Sequence, residues 1–167
     1  NDVESLMLWG MTNKFYTKKT HPHKKYFGNL NVKKTKYLNN LDEKKYNYVL
    51  GQIIRSCSIL LEKPYSEYYC EICFESSLKK DFNKIKFNKD KINNTKEFNH
   101  QLNGVIFLNK DADKKAGILM KENNVLIENI YNRCFIYDSN LETAIADSFG
   151  KSLKDSRLTL SFKILLK

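Results

Sequence analysis

The sequence predicts a mainly β protein, a sandwich or jelly roll braced by one N-terminal helix, and three observations carry that prediction. Short apolar runs recur through the second half, separated by Asn, Asp, Gly and Ser turns. A single stretch, residues 42–63, switches to helical period. The chain of 167 residues, 41% hydrophobic and 13% aromatic, is long enough to bury one core and too short for two ordinary domains. The expected organisation is a basic arm over residues 1–40 followed by one domain over residues 41–167.

The first forty residues are polar and irregular and suit short strands or an extended arm. Lysine doublets at 18–19, 24–25 and 33–34 alternate with Phe15, Tyr16, Tyr26, Phe27 and Tyr37. Two readings stay open: a grip on single-stranded nucleic acid through phosphates and stacked bases, or aromatics that anchor the arm while the lysines stay in water. Over residues 42–63, Tyr46, Val49, Leu50, Ile53, Ile54, Cys57, Leu60 and Leu61 recur at three- and four-residue spacing. Asn40 or Asp42 caps this helix, Glu43 suits its first turn, and Lys63-Pro64 ends it. Its stripe should pack on the outside of a sheet.

Residues 65–74 are aromatic-rich and read as a strand; residues 76–103 read as a long loop or ragged hairpin. Further strands are expected at 104–108, 117–120, 125–127, 133–137 and 158–166. Cys57, Cys70, Cys73 and Cys134 are too few and too unevenly spaced for a disulfide framework, which points to a reducing compartment. Cys70 and Cys73 form a C-x-x-C, half of a zinc site, but no second pair follows, and packing is the simpler role.

No run approaches the roughly 18 apolar residues that span a bilayer, so a soluble chain without a membrane partner is expected. It opens on Asn1 rather than Met, as a processed or trimmed product would. Against 19 Asp plus Glu stand 29 Lys plus Arg, a formal charge of +10 that suits a polyanionic partner. Only Arg55, Arg133 and Arg157 are arginines; the Lys, Asn, Ile and Tyr excess also fits an AT-rich coding sequence.

Particular motifs carry a resemblance. The run from Leu102 to Asp113 (LNGVIFLNKDAD), Gly117, Tyr131 to Asp138 (YNRCFIYD), Asp147 to Gly150 (DSFG), Ser156 to Thr159 (SRLT) and Phe162 follow one another in order. Together they resemble the C-terminal half of prolyl-hydroxylase-like oxygenases that use Fe(II) and 2-oxoglutarate, nearest to small phage and bacterial members. The match covers roughly Cys70 to Ile164. It implies a double-stranded β-helix, the jelly roll, and a metal held by an H-x-D pair and a distal histidine. Here the first position falls on Asn88-Lys-Asp90, and the distal histidine falls on Thr143. The arginine that clamps the 2-oxoglutarate carboxylate corresponds to Arg157.

The resemblance therefore implies a degenerate site. No cofactor is expected, and Asn88, Asp90 and Thr143 mark the altered metal positions. Asp90 and Glu142 offer oxygens that would suit Mg²⁺ or Ca²⁺ better than iron. Arg157 has a plainer reading as the partner of Asp147 or Asp155. The function expected is a non-catalytic oxygenase-like component of a larger assembly, such as a virion or other protein complex. Two alternatives stand beside it: an active hydroxylase using Fe(II) and 2-oxoglutarate, in which His100 and Asp90 converge, and a nucleic-acid-binding accessory protein using the arm. His21 and His23 lie far from the triad in motif order.

Overall fold

The computed structural model describes residues 2–22, 32–62, 67–89, 91, 92, 98 and 100–167. His23, the 24–25 doublet, Tyr26, Phe27, the Lys63-Pro64 stop, Tyr65 and Asp90 lie outside the described residues.

The arm differs from expectation at its start. Residues Asp2–Thr12 form a helix, α1, with Asp2 and Glu4 in its first turn where the helix dipole favours carboxylates. Val3, Leu6, Met7, Trp9 and Met11 pack against the core. The same i, i+3, i+4 spacing that marks the later helix was already present here, masked by its shortness. The second helix, α2, spans Glu43–Leu61, close to the expected 42–63. The Asp42 side chain accepts from the Lys45 backbone N–H, and Glu62 closes the helix in the left-handed region. Asn40 instead ends a short 3-10 helix, Leu38–Asn40.

The strands are β1 (Lys33–Lys34), β2 (Tyr68–Ser77), β3 (His100–Phe107), β4 (Ile118–Met120), β5 (Leu126–Ile127), β6 (Cys134–Asp138), β7 (Thr143–Ile145) and β8 (Arg157–Leu166). They form two antiparallel sheets: a five-stranded one ordered β1-β2-β8-β3-β6 and a three-stranded one ordered β5-β4-β7. The protein is thus mainly β with a few helices. The pairings are nested. Ile118 faces Ile127, Leu102 faces Asp138, Asn88 bridges Thr143, and Tyr68 faces Leu166. Each pair encloses the one before, and successive pairs alternate between the small sheet and the large one. A single antiparallel ribbon, turned at residues 121–125, is wound over itself, and the β3·β8 and β4·β7 ladders join its successive layers.

Strand alternation gives the large sheet two unlike faces. On one, Ile72, Phe74, Leu158, Leu160, Phe162, Ile164, Leu166 and Leu102 are buried with Val49, Leu50, Ile53 and Cys57 of α2. Phe74 meets Trp9 of α1 edge-on, with ring centroids 5.4 Å apart. Gly104 lies opposite Phe162, and any Cβ there would collide with the phenyl ring. The other face looks toward the small sheet, with Val32, Val105, Phe107, Ile118 and Ile145 as a minor apolar cluster. Among the described residues no helix is long and apolar enough to cross a membrane.

Candidate functional site

The space between the sheets is the candidate site. Alternate residues of β2 (Glu71, Cys73, Glu75) and of β8 (Arg157, Ser161, Lys163) line it, together with Lys34, Asn103, Val105 and Tyr137. Ile118, Thr143, Ala144 and Ile145 of the small sheet face them, and Asn88 and His21 complete the wall. The free volume is about 60 Å³.

Arg157 is the largest fully buried side chain, 1% exposed. Its Nε–H donates to the Ala116 carbonyl at 2.7 Å, and its guanidinium carbon sits 5.8 Å from the centre of the Phe107 ring. Among the described residues no hydrogen-bond partner reaches its Nη2. Burial pushes the guanidinium down to about 10, opposed by the Glu75 carboxylate, so the group stays charged at neutral pH. Asn109 fixes the backbone on both sides of it. Its side-chain amide donates to the Ser156 carbonyl at 2.8 Å, while its oxygen accepts from the Leu158 N–H at 2.8 Å. Its buried amide bonds join the exit of β3 to the entry of β8, a long-range role that no local pattern signals.

The expected alternative partners of Arg157 are engaged elsewhere. Asp147 pairs with Lys79 at 2.7 Å, and Asp155 accepts from Ser152 and Lys151. Glu75 forms a buried ion pair with Lys34 at 2.6 Å, both side chains under a tenth exposed. The Tyr69 hydroxyl donates to Glu71 at 3.2 Å.

Asn88 and Thr143, far apart in sequence, are brought together. The Asn88 N–H donates to the Thr143 carbonyl at 2.9 Å, and the Thr143 N–H returns the bond at 3.1 Å. Both residues line the same cavity as Arg157. The Thr143 hydroxyl lies 3.3 Å from the Tyr137 hydroxyl. An amide and an alcohol are neutral, weakly basic donors and make poor ligands for iron(II). Glu142 is paired with Lys121 at 2.7 Å and does not line the cavity. Among the described residues no three His, Cys, Asp or Glu side chains converge as metal ligands.

The histidines sort differently from their order in the motif. His21, placed by the sequence reading far from the triad, is 3% exposed in the cavity wall, with its Nε2 2.9 Å from the Thr35 carbonyl. His100 is exposed at the start of β3, opposite Leu166, outside the cavity lining. Cys70 and Cys73, three apart on one strand, fall on opposite faces of β2: Cys70 packs with the helices and Cys73 lines the cavity. They cannot share one metal ion. Burial pushes the Cys73 thiol up to about 12, so it is inert at neutral pH.

No protein-family profile matches this chain, and no curated protein matches it either. Among solved structures, a prolyl-4-hydroxylase from Pseudomonas putida is similar over 74% of this chain, with a TM-score of 0.43 and 12% sequence identity. The matched region spans 64% of that protein.

Proposed function

We propose that this chain is a non-catalytic jelly roll of the oxygenase type, a double-stranded β-helix retained as a scaffold and working as a binding component of a larger protein assembly. The nested pairings support the jelly-roll reading, since a twice-folded antiparallel ribbon is what generates that topology. One observation carries the loss of catalysis. The two positions where the sequence resemblance puts histidines, Asn88 and Thr143, meet on the cavity wall with side chains that cannot grip redox-active iron.

A protein partner suits the surface. Ile59 and Leu60 at the end of α2 are 69% and 61% exposed, and Tyr68 and Tyr69 at the start of β2 are exposed as well. With a net charge of +10, an acidic partner surface is favoured, for encounter rate as much as for affinity.

The test is anaerobic titration of the purified chain with Fe(II) and 2-oxoglutarate, followed by exposure to dioxygen. The proposal expects no stoichiometric iron and no succinate above a protein-free control. One iron per chain with catalytic succinate release would overturn it.

A further inference from the structure

We infer that β6, the free edge of the five-stranded sheet, takes up an extended, acid-flanked segment of a partner protein as a further strand, with one apolar side chain of that segment seated between the helices and the sheet. The inference rests on the reading of the chain as a binding component, and it names the surface and the kind of partner that surface fits.

The two outer strands of the sheet end differently. On one side β1 is covered by Tyr16, which exchanges both backbone hydrogen bonds with Lys34, at 2.8 and 2.9 Å. On the other side stands β6, paired among the described residues with β3 alone. The phase of that ladder follows from its ends: the Phe107 N–H donates to the Arg133 carbonyl at 3.1 Å, and the Ser139 N–H donates to the Gln101 carbonyl at 3.1 Å. Hydrogen-bonded pairs alternate along an antiparallel ladder, so Arg133, Phe135, Tyr137 and Ser139 turn their backbone groups to β3. The N–H and C=O of Cys134 and Ile136 point the other way, and among the described residues nothing bonds them. Such an unpaired row is a template for another strand, and sheets commonly guard it with lysine, proline or a bulge. Residues 134–138 read CFIYD in unbroken register, with none of these devices, in a chain that carries 29 Lys plus Arg.

A pocket adjoins this edge. Ile136 packs toward the helices, and a strand added to β6 places the residue opposite Ile136 on that same face. There a cleft of about 270 Å³ lies between α1, α2 and the sheet, walled by Val3 and Leu6, Val49 and Ile53, and Ile106 and Ile136. Val3, Leu6, Ile106 and Ile136 stay half-buried although they pack against the core, so the cleft leaves aliphatic surface in water. Its volume exceeds the roughly 150 Å³ that accommodates benzene, enough for a leucine or phenylalanine side chain. Open backbone groups beside an apolar pocket are what a sheet edge uses to select an extended peptide. Charge decides between occupants. Two copies of a chain of net charge +10 repel, and pairing β6 with itself about Ile136 sets Cys134 against Asp138 with no opposite charges matched. Arg133, at the entry of the strand, donates from Nη1 to the Glu128 carbonyl at 3.2 Å and has no carboxylate partner among the described residues. An acidic residue flanking the added strand finds a cation there, and the net charge speeds its approach.

The full chain is titrated with short blocked peptides that alternate threonine with valine between paired terminal aspartates, so that either orientation lays acid beside Arg133. Their central residue is alanine, leucine or phenylalanine, and binding is read by backbone amide NMR and hydrogen exchange. The leucine and phenylalanine peptides are expected to saturate in the micromolar range, about tenfold or more tighter than the alanine peptide. In the free chain the Cys134 and Ile136 amides should exchange fast beside slow Phe135 and Tyr137, and the bound chain should protect all four. N-methylation of the peptide at the residues that face β6 should abolish binding. Lysine in place of the terminal aspartates should cost about tenfold. Cys134→Pro removes an outward N–H, leaves the β3 ladder whole, and should weaken binding by about tenfold. Should that variant fold poorly, Val3→Phe fills the cleft from α1 with the edge intact, and should erase the preference for leucine over alanine.

No saturation by any of the three peptides would overturn the inference, as would protection that arises away from Cys134 and Ile136. A free chain that sediments as a dimer with both amides already protected would assign the edge to a second copy instead. Equal binding of the alanine and leucine peptides would overturn the seated side chain, and equal binding with lysine flanks would overturn the acidic partner. None of these readings involves iron, so any of them can fail while succinate release alone still judges the non-catalytic reading.

Discussion

The two faces of the five-stranded sheet solve opposite problems with the same strands. Toward the helices, alternate residues of β2 and β8 are mostly apolar, and Ile72, Phe74, Leu158, Leu160, Phe162 and Ile164 bury their area in the core shared with α1 and α2. Toward the small sheet, the intervening positions carry Glu71, Glu75, Arg157, Ser161 and Lys163. The first face supplies stability through the hydrophobic effect, roughly 1.5–3 kcal/mol per large side chain fully buried. The second holds charges out of water, which is costly unless each is paired. A sheet that keeps so polar an interior gives up stability on that face, and the helix face offsets the loss.

The contrast can be broken most severely on the helix face. Phe74→Ala removes a ring that is fully buried and packed edge-on to Trp9, and should destabilise by about 3–5 kcal/mol in urea unfolding. On the cavity face, Lys34→Met strands the Glu75 carboxylate in the interior and should cost about 3 kcal/mol. The double variant Lys34→Met/Glu75→Leu should recover most of that loss. No recovery would mean that Glu75 answers chiefly to Arg157 instead.

A smaller effect tests the close approach on the helix face. Gly104→Ala places a methyl against the Phe162 ring, and should cost about 1–3 kcal/mol unless the ring rotates. The smallest effect is electrostatic and lies outside both faces. The Ser152 hydroxyl, with the Lys151 and Ser152 N–H groups, pulls the Asp155 carboxyl down to about 2 from 3.8. A lowered acid favours the fold above its unfolded value and loses that contribution as pH falls through its folded value. Asp155→Asn should therefore differ from the parent in Tm at neutral pH, with the difference vanishing near pH 2.

What the sequence revealed follows the range of the interactions involved. Helix α2 was legible to within two residues because its stripe and its Asp42 cap are local. The strands β3 to β6 and β8 were legible as apolar runs between turns. Strand β7 and the Asn88 bridge were not, since Thr143 and Asn88 acquire their pairing only from each other across the ribbon. The alternation Glu71-Ile72-Cys73-Phe74-Glu75 was open to view, and period two says which residues share a face. It does not say whether the polar face meets water or a second sheet, and here it meets a sheet. For the same reason His21, read as part of an outlying arm, turned up in the cavity wall. Gly150 sits in the left-handed region at φ 83°, which favours a residue without a Cβ.

The central claim is that the chain lost iron chemistry at Asn88 and Thr143. Co(II) titration followed by its visible absorption bands tests this directly, comparing the parent chain with Asn88→His/Thr143→His. The account predicts no specific Co(II) spectrum in the parent and a saturable one in the double variant, where two imidazoles face one cavity. A parent chain that already binds one Co(II) with nitrogen ligation would contradict it.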